Sequence, residues 1–421
     1  MVAERRVLYA LAAVEVMCGA AGCAGGVGEP TNMLATRSRI TPCLAALCLV
    51  GLSPIFTGCS GGGGTPQQQN TASRKFQETK LISDIPGNAA VTDPNLVNPW
   101  GVAFDPTGSF WIANNGSGTS TIDNASGVQT QTVVAIPSPT SATGGTPTGQ
   151  VFNGTNSFRL SNGLPAQFIF STEDGTIVAW NGYLNNTAFV VADRSNIPVV
   201  GGGSVYKGLA IGTNASGSFL YAANFSTGQV DVFDTNFTII NLPGSFTDPN
   251  LPSGYAPFGI QNIGGDIFVT YARQDVTKQN EIDAAGSGII DDFDTNGNFK
   301  RRFATGSASG GAVATLNSPW GMTLAPANFG AFGNALLVGN FGDGTISAFN
   351  PTTGALIGQL QDTTGANPIT IPGLWSITFG NGGAAGSKSI LYFTAGIGDP
   401  PTYTVNREKH GLFGSLQLVS P

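Results

Sequence analysis

The chain has 421 residues, with 60 Gly, 25 Pro and only 10% charged side chains. Its 41% hydrophobic content excludes a disordered chain, and so much Gly and Pro excludes a helix-built one. A net charge of −7 argues against nucleic acid or an anionic membrane face as partner.

All five cysteines (Cys18, Cys23, Cys43, Cys48, Cys59) precede residue 60. Whatever folds after them has neither a disulfide nor a cysteine-ligated metal. Residues 1–58 read as a leader and signal peptide, with the better start at Met33. Arg37 and Arg39 are followed by the apolar run Cys43–Leu52, which is too short to span a bilayer as a helix. Phe56-Thr57-Gly58-Cys59 resembles a bacterial lipobox with Phe56 in the usual Leu position. That resemblance makes Cys59 the lipidated residue and residues 59–75 its flexible tether. The address expected is therefore export, as an outer-membrane lipoprotein or a secreted protein.

From residue 76 to 421 the chain repeats one pattern six times. Blade five is the clearest copy: Trp320–Leu324, then Ala335–Asn340, a Gly342-Asp343-Gly344 turn, Thr345–Phe349, and Asn350-Pro351. The other copies open at Asn98-Pro99-Trp100-Gly101, Phe168–Ser171, Tyr206-Lys207-Gly208-Leu209, Pro257-Phe258-Gly259-Ile260 and Leu374-Trp375-Ser376-Ile377. From the turn glycine to a closing Asp, Asn or Gln is six residues in five copies (Gly175, Gly228, Gly288, Gly344, Gly411) and five in the first, from Gly118 to Asp123. Repeats of this length, with three or four short strands each, predict an all-β, six-bladed β-propeller. The sixth copy leaves no room for its outer strand. Phe76–Ile85 is predicted to supply that strand and close the ring.

The motifs NPWG (98–101), STEDGTIVAW (171–180), YKGLA (206–210), LNSPWGM (316–322), LLVGNFGDGTISAF (336–349) and LYFTAG (391–396) resemble an uncharacterised family of secreted bacterial propellers. Some members of that family carry a PEP-CTERM tail. The similarity to NHL-repeat and gluconolactonase-like propellers is more distant. The resemblance implies fold and export, and no chemistry.

Candidate functional residues lie where copies depart from the pattern. Two long insertions, 273–287 in blade four and 396–410 in blade six, hold nine charged residues in 30. They fall on the face where propellers bind. The candidate binding rim is Arg273, Asp275, Lys278, Glu281, Asp283, Arg407, Glu408 and His410, with Asn98 and Trp100 entering blade one on that face. His410 is the only histidine and reads as a turn residue. Asp292–Gly297 resembles the start of a calcium loop. It lacks the later ligands, and it matches the blade-three turn at Phe233–Asn236. Glu173 with Asn114, Asn224 and Asn340 would hold a divalent cation in the channel, as in the gluconolactonase-like propellers; turn capping is the structural reading of the asparagines.

The leading expectation is a monomeric exported propeller that binds an envelope or extracellular protein or glycan, with no catalysis, no cofactor, and membrane contact through a lipid anchor alone. One alternative is a metal-dependent lactonase- or lyase-type enzyme at the channel mouth. Another is a purely structural module.

Overall fold

The computed structural model describes residues 72–198, 202–306 and 315–419. The predicted leader, Cys59 and the tether as far as residue 71 lie outside the described residues. Six antiparallel sheets form a closed ring. Blade one is Pro99–Ala103, Phe110–Asn114, Thr119–Asp123 and Gln129–Ala135. Blade two starts at Pro147–Phe152, a first strand the sequence pattern did not reveal. Blade five follows the predicted strands and adds Leu356–Gln359 outside. The first strand of each blade packs on the next, and that of blade six packs on blade one.

The predicted closure is present. Phe76–Ser83 pairs antiparallel with Leu412–Leu418, from Phe76↔Leu418 to Ser83↔Leu412, and becomes the outer strand of blade six. The last strand of the ring therefore presents no open edge. A short parallel pairing of Val91–Thr92 follows on the outside.

Glycine sets the bore of the ring. Inner-strand Gly149, Gly259 and Gly321 face the neighbouring blade so closely that a Cβ would fall within 2.5 Å of a backbone atom. Threonines then tie blade to blade: Thr148 donates to the Tyr206 carbonyl at 2.7 Å, and Thr394 to the Trp100 carbonyl at 2.6 Å, across the closing seam. Between the blades lie six apolar clusters, one for each interface, and a seventh, aromatic one plugs the channel mouth.

One expectation needs correcting. Asp123 is the last residue of the third strand of blade one, but it does not make the turn that follows. The turn is made by Asn124, whose side chain accepts the Ser126 and Val128 N–H groups at 2.9 and 3.0 Å. Asp234 and Asp294 make the same turn in blades three and four. Counted to Asn124, blade one keeps the six-residue spacing, and Asp123 falls inside the strand. The Asp294 contacts also identify the calcium-loop lookalike as this turn.

Candidate functional site

The position before each inner-strand glycine, or before Ser376 in blade six, faces the channel mouth. Going round the ring it is Trp100, Thr148, Lys207, Phe258, Trp320 and Trp375. Lys207 is the one charge in that ring. The strand pattern alone does not mark it as a site residue; the signal in the sequence is its place among aromatic and small residues at the equivalent positions of the other copies.

Three rings stack across the mouth. Trp100 lies on Trp375 at 3.5 Å between centroids, and Phe341 covers the other side of Trp375 at 4.0 Å. A cation stands at each end of this run: the Lys207 ammonium is 5.2 Å from the Trp100 ring and the Arg407 guanidinium 4.4 Å from Phe341. Trp320 meets Trp100 edge-on and donates its indole N–H to the Lys207 carbonyl at 2.9 Å. The Trp100 N–H is buried without a partner.

Around this floor stand carboxylates. The Lys207 side chain is only 2% exposed and pairs with Glu173 at 2.5 Å. Burial opposes its charge, but Glu173, Glu281 and Glu408 outweigh that and raise its pKa. Asn115 donates to the other Glu173 oxygen at 2.8 Å. Asn98 accepts the Trp375 indole N–H at 3.0 Å and reaches Glu408 at 3.4 Å. Glycine at 396 leaves room for that contact, since a Cβ there would lie 2.1 Å from the Asn98 oxygen.

The two insertions meet above the mouth. Arg407 of blade six pairs with Asp283 of blade four and donates to the Phe341 carbonyl at 2.8 Å. Glu408 keeps a solvent-exposed surface within a concave mouth, so protein replaces much of its hydration. That loss, followed by repulsion from Glu281 and Glu173, pushes it up to about 7. Glu281 is also raised, by loss of hydration before repulsion from Asp283 and Glu173. Glu408 has a left-handed backbone, φ +70°, a costly conformation for a side-chain-bearing residue.

The predicted rim therefore divides. Glu281, Asp283, Arg407, Glu408, Asn98 and Trp100 come together at the mouth. Arg273 is exposed at the end of the second strand of blade four, paired with Tyr255. Lys278 is exposed on the loop that follows, and Asp275 accepts hydrogen bonds from Thr277 and Gln279 within that loop. His410 lies aside from the mouth against Asp84, at 2.7 Å.

Glu173 is at the mouth, but its three suggested partners are not turned toward it. The amides of Asn114, Asn224 and Asn340 bond Thr121, Asp231 and Thr345, each within its own blade. Strand alternation explains this: Glu173 is one residue further along than the asparagine position, on the opposite side of the strand. Asn115, Phe225 and Phe341 are its true equivalents. Among the described residues no three His, Cys, Asp or Glu side chains group to hold a metal ion.

Fold and site together define a six-bladed β-propeller with a loop-covered, aromatic-floored and acid-rich channel mouth. The chain is 32% identical over 348 residues to uncharacterized protein R648 of Acanthamoeba polyphaga mimivirus, covering 80% of each protein. It is 33% identical over 304 residues to uncharacterized protein L690 of the same virus, covering 70% of this chain and 76% of that protein. It belongs to the family of these proteins. No family model matches it. Similar solved structures include virginiamycin B lyase from Staphylococcus aureus (14% identity, TM-score 0.43, 82% of this chain and 99% of that one). Another is the PQQ-bound aldose sugar dehydrogenase from Streptomyces coelicolor (14% identity, TM-score 0.47, 83% and 100%). The likeness to these structures is one of fold.

Proposed function

We propose that this chain is an exported binding propeller that captures a protein partner through a basic group seated in the channel mouth. The observation that carries this reading is the charge balance there. Four carboxylates (Glu173, Glu281, Asp283, Glu408) face two cations (Lys207, Arg407), and the two acids that make no direct ion pair, Glu281 and Glu408, are the ones whose pKa values rise. A lysine or arginine side chain would offset part of this acidic excess, and the aromatic floor adds cation–π attraction. Export through the Met33–Cys59 segment and a lipid anchor at Cys59 complete the reading and place the partner at a cell envelope. An array of short peptides and an array of glycans, both probed with the full chain, test it. Basic peptides should be retained, and Glu281→Gln and Glu408→Gln should lose them. Retention of neutral glycans alone, or of lysine-acetylated peptides equally well, would overturn the basic-group reading.

A second reading rests on Glu408. A carboxylic acid near 7 on a strained backbone suits general acid–base work in a lactonase- or lyase-type reaction, with or without a divalent cation. Turnover of simple lactones, lost in Glu408→Gln, would support it. Activity unchanged in that variant would count against it.

A further inference from the structure

Asp123 is the outlier of the repeat. Across the blades its position pairs with an equivalent apolar residue of the second strand: Phe110↔Asp123, Phe168↔Trp180, Leu220↔Phe233, Ile267↔Phe293, Leu336↔Phe349 and Leu391↔Leu416. Five blades bury an aromatic or leucine there, and blade one buries a carboxylate. Asp123 is 0% exposed, and neither of its oxygens has a hydrogen-bond partner. An unpartnered buried carboxylate costs several kcal/mol as a rule and persists where something else uses it.

A second buried acid lies beside it. Gln129 is directly opposite Asp123 in the next strand, so their side chains share a face of the sheet. The Gln129 amide donates at 2.5 Å to one oxygen of Asp93, which is 2% exposed. The backbone and side-chain N–H groups of Asn95 donate to the other at 2.9 and 3.0 Å, so Asp93 is held in place and, of the two acids, Asp123 alone is unpartnered. The Asp93 N–H in turn donates to the Ser83 carbonyl, at the end of the strand that closes the ring. Burial first, and the Asp93 charge after it, push Asp123 up to about 7; the Thr121 hydroxyl on the same strand offsets part of this without reaching hydrogen-bonding geometry. No cation contributes to its surroundings.

We propose that Asp123 and Asp93, flanking the Gln129 amide, bind a hard divalent cation at the seam where the closing segment meets blade one. Two carboxylates balance one divalent charge, and a donor set made only of oxygen suits calcium. The cation would tie the segment after Ser83 to blade one, so ring closure would depend on it. This site is separate from the channel mouth.

The full chain, dialysed against EDTA and then freed of chelator, is titrated with CaCl2 and with MgCl2 by calorimetry and by thermal melting. One calcium per chain and a rise in melting temperature of roughly 2–5 °C at saturation are expected. Asp123→Phe restores the residue type of blades three to five; it should fold and show no calcium-dependent rise. Asp93→Asn should lose the rise as well, and it decides the matter if Asp123→Phe fails to fold. Glu173→Gln, at the channel mouth, should keep it. No calcium or magnesium binding at millimolar concentration would overturn the proposal and leave Asp123 a buried protonated acid. A full calcium response in Asp123→Phe would overturn it too, and tighter magnesium binding would overturn the calcium assignment.

Discussion

Blades one and five are near copies with different contents. Both enter through a left-handed residue before Pro-Trp-Gly, Asn98 at φ +46° and Ser318 at φ +45°. Both end the second strand on an asparagine that braces its own turn, Asn114 on Thr119 and Thr121, Asn340 on Thr345 and Ser347. Two of the positions at which they differ matter most. Blade five has Phe341 at the mouth and Phe349 in the core, where Phe349 meets Phe303 edge-on. Blade one has Asn115 at the mouth, holding Glu173, and Asp123 in the core, holding nothing. What the copies share builds the scaffold. Where one copy breaks the rule, a polar group has been placed at a position the fold alone fills with a ring.

The sharpest way to break the comparison is to make blade five break the same rule. Phe349 is 2% exposed. Phe349→Asp removes a buried ring and inserts a charge with no partner, so it should cost about 4 kcal/mol or more. Urea unfolding should show a collapsed midpoint or no folded baseline. A cost under about 1 kcal/mol would mean the position tolerates carboxylates, and Asp123 would lose its significance.

Next in size is the lysine that breaks the aromatic ring at the mouth. Lys207→Met leaves Glu173, Glu281 and Glu408 without their shared cation, at about 3 kcal/mol of stability. The loss should be larger at pH 8 than at pH 5.5, because protonation relieves the repulsion. Equal losses at both pH values would show that packing, and not charge, explains it.

Much of this is legible in the sequence. The strand alternation and turn glycines located the blades, and the missing outer strand of blade six foretold its donation from Phe76–Ser83. Both insertions were visible as charge in a charge-poor chain. The rest was hidden for two physical reasons. Which side of a strand a residue faces turns on a single register step, so Glu173 was grouped with asparagines that face away from it. The Asp123 anomaly is hidden because Asp123 and Asn124 are both turn-forming residue types and adjacent, and only the hydrogen bonds show that Asn124 makes the turn. The pairing of Arg407 with Asp283 joins loops 124 residues apart, and no spacing rule connects them.

A pH series sharpens the core half of the comparison. Asp123 and Asp291 are both pushed from 3.8 to about 7, chiefly by burial. A carboxyl raised on folding holds its proton longer in the native state. Stability is therefore highest below about pH 4 for these groups, and it falls as pH rises to about 7. In chelator, the urea midpoint should drop across that window. Asp123→Phe should remove its share of the drop, on the order of 4 kcal/mol for a pKa raised from 3.8 to about 7. An unchanged slope in the variant would show that Asp123 keeps an ordinary pKa.

The smallest expected effect bears on the mouth half. Arg407 is half-buried, pairs with an equally half-buried Asp283, and lies over Phe341, the ring that blade one replaces with Asn115. Solvent screening keeps such a pair to about 1 kcal/mol or less, so Arg407→Ala should hardly move the midpoint. Its effect should appear locally. Arg407 is the contact that holds the blade-six insertion on the blade-four insertion and on the aromatic floor, so hydrogen exchange should rise in 273–287 and 396–410 and nowhere in blade one. Arg407→Lys should restore little of the protection, because an ammonium cannot reproduce a planar guanidinium that stacks on Phe341 while donating to its carbonyl and to Asp283. Protection unchanged in both variants would mean that the two loops are ordered separately, and that the mouth they cover does not depend on their meeting.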